Sequence, residues 1–273
     1  MKYYIYFILI LGVISCSETS NLDKALELAG DNRYELEKVL AYYSENDRDS
    51  LKYKATCFLI ENMEGKCSRL YNFNEDAYEI FDKEKELNKH RRKEHRLEMI
   101  QKVDSLIKVK GSSFQTVYDI DVITSDYLIE NINLAFKAWE KPWARHFNFN
   151  EFCEYVLPYR IDEEPLSDWR KVFSEKYAYI EDSLTNKADT KEAVLYLNAL
   201  VGIDFRVEDL LEVPYVSFIL LDKVRAGGCN QRYLLMISIL RAMGIPAILD
   251  YAPSQNKSFK DHSWTVYIDS MHR

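Results

Sequence analysis

From Cys229 to Leu240 the chain is apolar around nearly the whole circumference of a helix, with Tyr233, Leu234, Leu235, Met236, Ile237, Ile239 and Leu240 falling on every side. A helix hydrophobic all round is buried, so this segment is the centre of whatever core the chain builds. Its limits are marked. Gly227-Gly228 precede it, and Gly244 stops it with Pro246 two residues on. Two strands are predicted next, Ala247 to Tyr251 and His262 to Ile268, the second with His262, Trp264, Val266 and Ile268 on one face. Cys229 therefore opens a buried helix, and His262 comes from a neighbouring sheet. A thiol near neutral pH is weakly ionised; a helix N-terminus and an adjacent imidazole both favour the thiolate, which attacks carbonyl carbons. Gly227-Gly228 lets the backbone turn sharply into the helix and a substrate approach closely. The first-turn N–H groups, Cys229's among them, are available to an oxyanion.

Gly228-Cys229, the helix after it, Arg241-Ala242-Met243-Gly244-Ile245-Pro246-Ala247 and His262-Ser263-Trp264 together resemble the core of the transglutaminase-like superfamily, over residues 227–269. The resemblance implies a papain-like fold, Cys229 as nucleophile, His262 as base, and no metal or organic cofactor. It also implies a third catalytic residue, usually Asp, on the strand after the histidine's. The sequence ends at Arg273, short of that strand. Asp269 ends the histidine's own strand and is not assigned the role. The catalytic region therefore reads either as truncated, the reading favoured, or as lacking the usual acid. Residues 1–273 alone are expected to be nearly inactive and to associate through an open sheet edge.

The fold class expected is α+β: a predominantly helical N-terminal half, then an incomplete papain-like core with its central helix packed on an antiparallel sheet. Residues 1–15 read as a signal peptide, because the apolar run Tyr3 to Ile14 is shorter than the roughly 20 residues a spanning helix needs. Val13-Ile14-Ser15-Cys16 resembles a bacterial lipobox, which implies a lipid on Cys16 and a protein exported and anchored to a membrane, at a periplasmic face or a cell surface. Residues 16–111 read as a helical domain: buried stripes at Leu22, Ala25, Leu26 and Ala29, at Leu36, Val39, Leu40 and Tyr43, and at Leu51, Ala55, Phe58 and Leu59, then a charged helix from Asp76 to Lys110. Gly111-Ser112-Ser113 is the predicted boundary.

Residues 112–190 read as an aromatic-rich helical connection. Its helices are Asp126 to Trp139, one capped by Asn150, and one starting at Trp169. The proline-bracketed loop Pro158 to Pro165 offers Tyr159 and Arg160, with Trp264, as candidates to line a substrate groove; the plainer reading has both buttress the loop by packing and carboxylate pairing. Residues 191–273 form the transglutaminase-like region. Cys57 and Cys67 read either as a disulfide or as two free buried thiols. No CxxC or HExxH occurs, and His90 and His95 lack ligand partners, so no metal site is predicted. A net charge of -8 leaves no basic face for nucleic acid.

The expected partner is a peptide- or amide-containing substrate, with hydrolysis favoured over cross-linking. The competing expectation is a non-catalytic envelope binding module that uses the same core as a scaffold or peptide cleft.

Overall fold

Ser20 begins the described chain as an N-cap, its hydroxyl accepting the Asp23 N–H at 3.1 Å, and α1 (Asn21–Leu28) follows. The computed structural model describes residues 20–73, 76, 92–111, 113–202, 206–207, 216–252 and 262–269. Helix α2 (Arg33–Ser44) buries Leu36, Val39 and Tyr43, as their spacing requires. In α3 (Ser50–Glu61) the buried stripe is Ala55, Thr56, Leu59 and Ile60. That rotates the helix away from the expected face and leaves Leu51 exposed and Phe58 half-buried.

Strand β1 (Cys67–Tyr71) then pairs antiparallel with β2 (Phe114–Tyr118), from Cys67↔Tyr118 to Tyr71↔Phe114, with α4 (Arg92–Lys110) between them in sequence. Both strands lie in stretches expected to be helical. Each is five residues long, too short for a period of two to stand out beside the helical runs around it. Gly111 ends α4 in the left-handed region at φ +76°, and Gly65, at φ +75°, sits in the turn of residues 63–66 between α3 and β1.

Thr124 caps α5 (Ser125–Trp139), which buries Leu128, Ile132, Ala135 and Ala138. Helix α6 (Phe149–Tyr155) is capped by Asn148, not Asn150. Asn148 Oδ1 accepts from the N–H groups of Asn150 and Glu151, and Glu151 Oε2 accepts from the Asn148 N–H at 2.8 Å. Asn150 is thus a first-turn donor, and the reciprocal glutamate three residues after Asn148 selects the cap.

The buried residues sort into two cores. The first joins α1, α2 and α3 to α5 and α6, with Ile120, Phe152, Val156 and Tyr159 inside it. The boundary drawn at residue 111 therefore runs through one packed unit. The second core contains α7 (Trp169–Lys176), α8 (Thr190–Gly202), α9 (Phe218–Val224) and α10 (Cys229–Ala242). Leu234 through Ala242 of α10 are all buried. The helix packs on the antiparallel pair β5 (Ala247–Ala252) and β6 (His262–Tyr267), whose register runs from Ala247↔Tyr267 to Ala252↔His262. Two-residue strands β3 (Arg206–Val207) and β4 (Ala226–Gly227) pair in parallel just before α10. Among the described residues no helix is long and apolar enough to cross a membrane.

Buried arginines join the cores by capping backbone carbonyls. Arg170 donates to Asn131 Oδ1 at 2.7 Å and to the carbonyls of Val156 and Arg241 at 2.8 and 2.9 Å. Arg241 donates to the Ala247 carbonyl from both Nε and Nη2, fixing the turn from α10 into β5. Beside them Glu164 is buried, its carboxylate accepting from the N–H groups of Ile161 and Asp162 at 3.1 and 2.8 Å.

Burial pushes the Glu164 carboxyl up from 4.5 to about 7, against the opposing pull of Arg160 and of the backbone N–H groups. Between those values the folded protein holds a proton that the unfolded chain has released. This contribution to stability is complete below about pH 4.5 and is lost as pH rises through about 7. We expect the stability of the wild type relative to Glu164→Gln to fall across that window, by on the order of 3 kcal/mol. Urea titrations of both proteins between pH 5 and pH 8 check this; a pH-independent difference contradicts it.

Candidate functional site

Arg225 ends α9 at φ 53°, a left-handed conformation that costs a residue with a Cβ on the order of 1 kcal/mol. Side-chain contacts hold it there. Its Nε donates to the Asp222 carbonyl at 2.9 Å, and its Nη2 donates to Asp222 Oδ1 at 2.5 Å and to the Tyr177 hydroxyl at 2.8 Å. The chain turns at this residue into Ala226-Gly227, which pairs with β3, and then into α10. The strain therefore sits four residues before Cys229, where it sets the entry angle of the central helix.

Gly228 is the N-cap of α10, with φ -73° and ψ 179°, and has no side chain with which to cap the first turn. The first helical bond runs from the Arg232 N–H to the Gly228 carbonyl at 3.3 Å. Cys229 is the first helical residue, a half-buried free thiol. One turn on, the Tyr233 hydroxyl is pushed up, first by burial and then by the Cys229 thiol beside it. Cys229 thus lies partly open to solvent at the start of a helix whose N-cap residue makes no side-chain cap bond.

Of the other described thiols, Cys57 is half-buried like Cys229, while Cys67 and Cys153 are buried. Burial pushes Cys153 up to about 12, and burial also raises Cys57 and Cys67, with Glu61 and Glu163 adding to it. All three are free, so the disulfide considered for Cys57 and Cys67 is not formed.

On β6, Ser263 is buried and its hydroxyl donates to Asn230 Oδ1 at 2.6 Å, across 33 residues of sequence. Asn230 follows Cys229, and Ser263 follows His262. The strand that begins with His262 is thereby fastened to the first turn of α10. Tyr267, in the same register as Ser263, packs on the second core. Trp264, in the other register, is 38% exposed. The His262 backbone is the first position of β6, opposite Ala252; its side chain lies outside the described residues.

Tyr159 and Arg160 do not line a groove. They are 3% and 5% exposed. Tyr159 belongs to the first core, and its carbonyl accepts from the Trp169 indole at 2.9 Å. The Arg160 guanidinium is paired with Asp119 and bonded to the Ser68 hydroxyl and the Glu164 carbonyl. Carboxylate pairing and packing occupy both side chains, which is the plainer of the two readings of that loop. Cys16 and the preceding signal segment lie outside the described residues.

Asn230, Ser263 and Arg225 gave no signal in sequence. Asn230 reads as a surface residue of a helix start, and Arg225 as an ordinary helix-end cation. Only the tertiary register of β6 against α10 makes a pair of Asn230 and Ser263. Among the described residues no group of three or more His, Cys, Asp or Glu is placed to hold a metal ion. Comparison with family models, with curated proteins and with solved structures finds no match to the chain.

Proposed function

We propose that the chain carries a transglutaminase-like acyl-transfer site acting on amide bonds in the cell envelope, with Cys229 as nucleophile and His262 as base. The observation that carries the reading is the free, half-buried Cys229 at the first position of the buried helix α10, directly after its N-cap Gly228. The hydrogen bond from Ser263 to Asn230, which brings the strand of His262 against the first turn of α10, supports it. In this reaction His262 takes the Cys229 proton and the thiolate adds to the amide carbonyl carbon. The Cys229 N–H receives the oxyanion. Collapse expels the amine, which leaves with the proton from the imidazolium, and water or a second amine resolves the thioester. Water makes the protein a peptidase or amidase, the outcome we favour; an amine makes it a cross-linker. Lipidation of Cys16 is the anchoring we propose for it.

A second reading has one observation in its favour. The residue of β6 that reaches α10 is Ser263, and in a strand's period of two position 262 belongs to the other register, with Trp264. In that reading the helix and hairpin form a non-catalytic cleft.

Alkylation of the full-length protein with iodoacetamide at pH 6 separates the two. We expect Cys229 to react about tenfold or more faster than Cys57, Cys67 and Cys153, and His262→Ala to remove most of that advantage. A Cys229 no faster than those three thiols, or one indifferent to His262, gives the site to the second reading.

A further inference from the structure

We infer that Asn230 and Ser263 are a positioning pair, which sets the strand carrying His262 at its working distance from Cys229. The inference rests on the Cys229–His262 reading above. The β5–β6 hairpin is attached to the second core at its far end, where Ala247 is buried, Tyr267 packs on the core, and the Ile268 N–H donates to the Pro246 carbonyl at 3.1 Å. Toward the histidine end, Leu249, Asp250 and Tyr251 of the partner strand β5 are exposed. At that end Ser263 is 4% exposed, and its hydroxyl meets Asn230 Oδ1 at 2.6 Å, a short distance for a neutral hydrogen bond. Strand β6 is thus tied to the first turn of α10 one residue from each proposed reacting group.

The chemistry explains why such a tie matters. Proton transfer between thiol and imidazole needs heavy atoms within hydrogen-bond reach, and a misplacement of about 1 Å can cost on the order of a hundredfold in rate. Serine at 263 also suits the place: it has one proton to donate and little bulk to fit under the hairpin. Asparagine at 230 stands exposed, so it contributes little to packing. Its retention of a bond to a buried hydroxyl is better explained by orientation than by bulk stability.

The experiment compares the pH profile of Cys229 carboxamidomethylation by iodoacetamide in six full-length proteins: wild type, His262→Ala, Asn230→Ala, Ser263→Ala, the double variant Asn230→Ala/Ser263→Ala, and Ser263→Thr. Each single clamp variant is expected to slow the reaction at pH 6 about tenfold, in the direction of His262→Ala but not as far. The double variant is expected to match the singles, because both remove one interaction. Ser263→Thr, which keeps the hydroxyl and suits a strand, restores the wild-type profile.

Asn230→Ala alters an exposed side chain and keeps the test valid if Ser263→Ala does not fold; thermal melts identify that case. Clamp variants that lower the melting temperature yet leave the pH profile superposed on wild type, while His262→Ala changes it, overturn the positioning role and leave the dyad standing. A profile unchanged by His262→Ala overturns the dyad, and the positioning role with it.

Discussion

Gly244→Ala is expected to destabilise the protein by about 4 kcal/mol, the sum of a left-handed backbone penalty and an overpacked contact. Gly244 has φ +80°, and a Cβ built on it would lie 2.2 Å from the Ala138 carbonyl oxygen and 3.1 Å from the Ala144 Cβ. The obstacle is backbone, which cannot rotate aside as a flexible side chain can. This is where the two cores meet. The end of α10 lies against the end of α5, and the Trp143 indole donates to the Met243 carbonyl at 2.8 Å. Moving Gly244 would also move Ala247, the first residue of β5 and the residue that Arg241 holds.

The comparison that isolates the clash is Gly65→Ala. Gly65 has nearly the same φ, +75°, with nothing within 4 Å of the added Cβ. Gly65→Ala should cost only about 1 kcal/mol. Urea midpoints of the two variants decide the matter. Equal losses would mean that the α5 carbonyl is not against Gly244.

Position 244 was legible in sequence as a helix stop. Glycine after the last apolar residue, with proline two further on, allows little else, and α10 and both strands of its hairpin lie where their patterns predict. These elements were readable because each carries a long, self-consistent signal: a helix apolar all round, or a strand bounded by breakers. Strands β1 and β2 were not, since five residues within helical surroundings carry no such signal. Nor was the division into cores. Ile120 and Tyr159 pack with Leu36 and Val39 through contacts far apart in sequence, across a glycine-serine break that marks only a turn.

The candidate site shows the same limit at finer scale. Cys229 and His262 stood out by type and spacing. What places β6 against the start of α10 did not, because Asn230, Ser263 and Arg225 acquire their contacts only from tertiary neighbours. Arg225 keeps a left-handed backbone because Asp222 and Tyr177 fix its guanidinium, and those partners are three and 48 residues away. A motif can name candidate reacting groups. The groups that would position them belong to the packing.

Arg160→Ala is expected to cost about 3–5 kcal/mol, the range for breaking a buried ion pair from one side. The Arg160 and Asp119 side chains are 3% and 1% exposed. Nε donates to Asp119 Oδ2 at 2.5 Å and Nη2 to Asp119 Oδ1 at 2.5 Å, a two-point contact, while Nη2 also reaches Ser68 Oγ at 3.1 Å. Removing the guanidinium leaves a carboxylate with neither water nor a countercharge, together with an orphaned Glu164 carbonyl. Asp119→Ala should cost a similar amount by stranding the cation.

Arg160→Met/Asp119→Leu should lose much less than either single change, because it removes both charges and their desolvation together. Urea unfolding of the three variants tests this, with tryptophan fluorescence as the signal. Single losses below about 1 kcal/mol would mean that water reaches the pair, as it does at a surface. Arg160 would then return as a groove residue. The sequence could not distinguish these outcomes, since the partner carboxylate lies 41 residues upstream in a stretch expected to be helical. An arginine between two prolines looks the same whether it faces a substrate or a buried aspartate; the identity of its partner decides which.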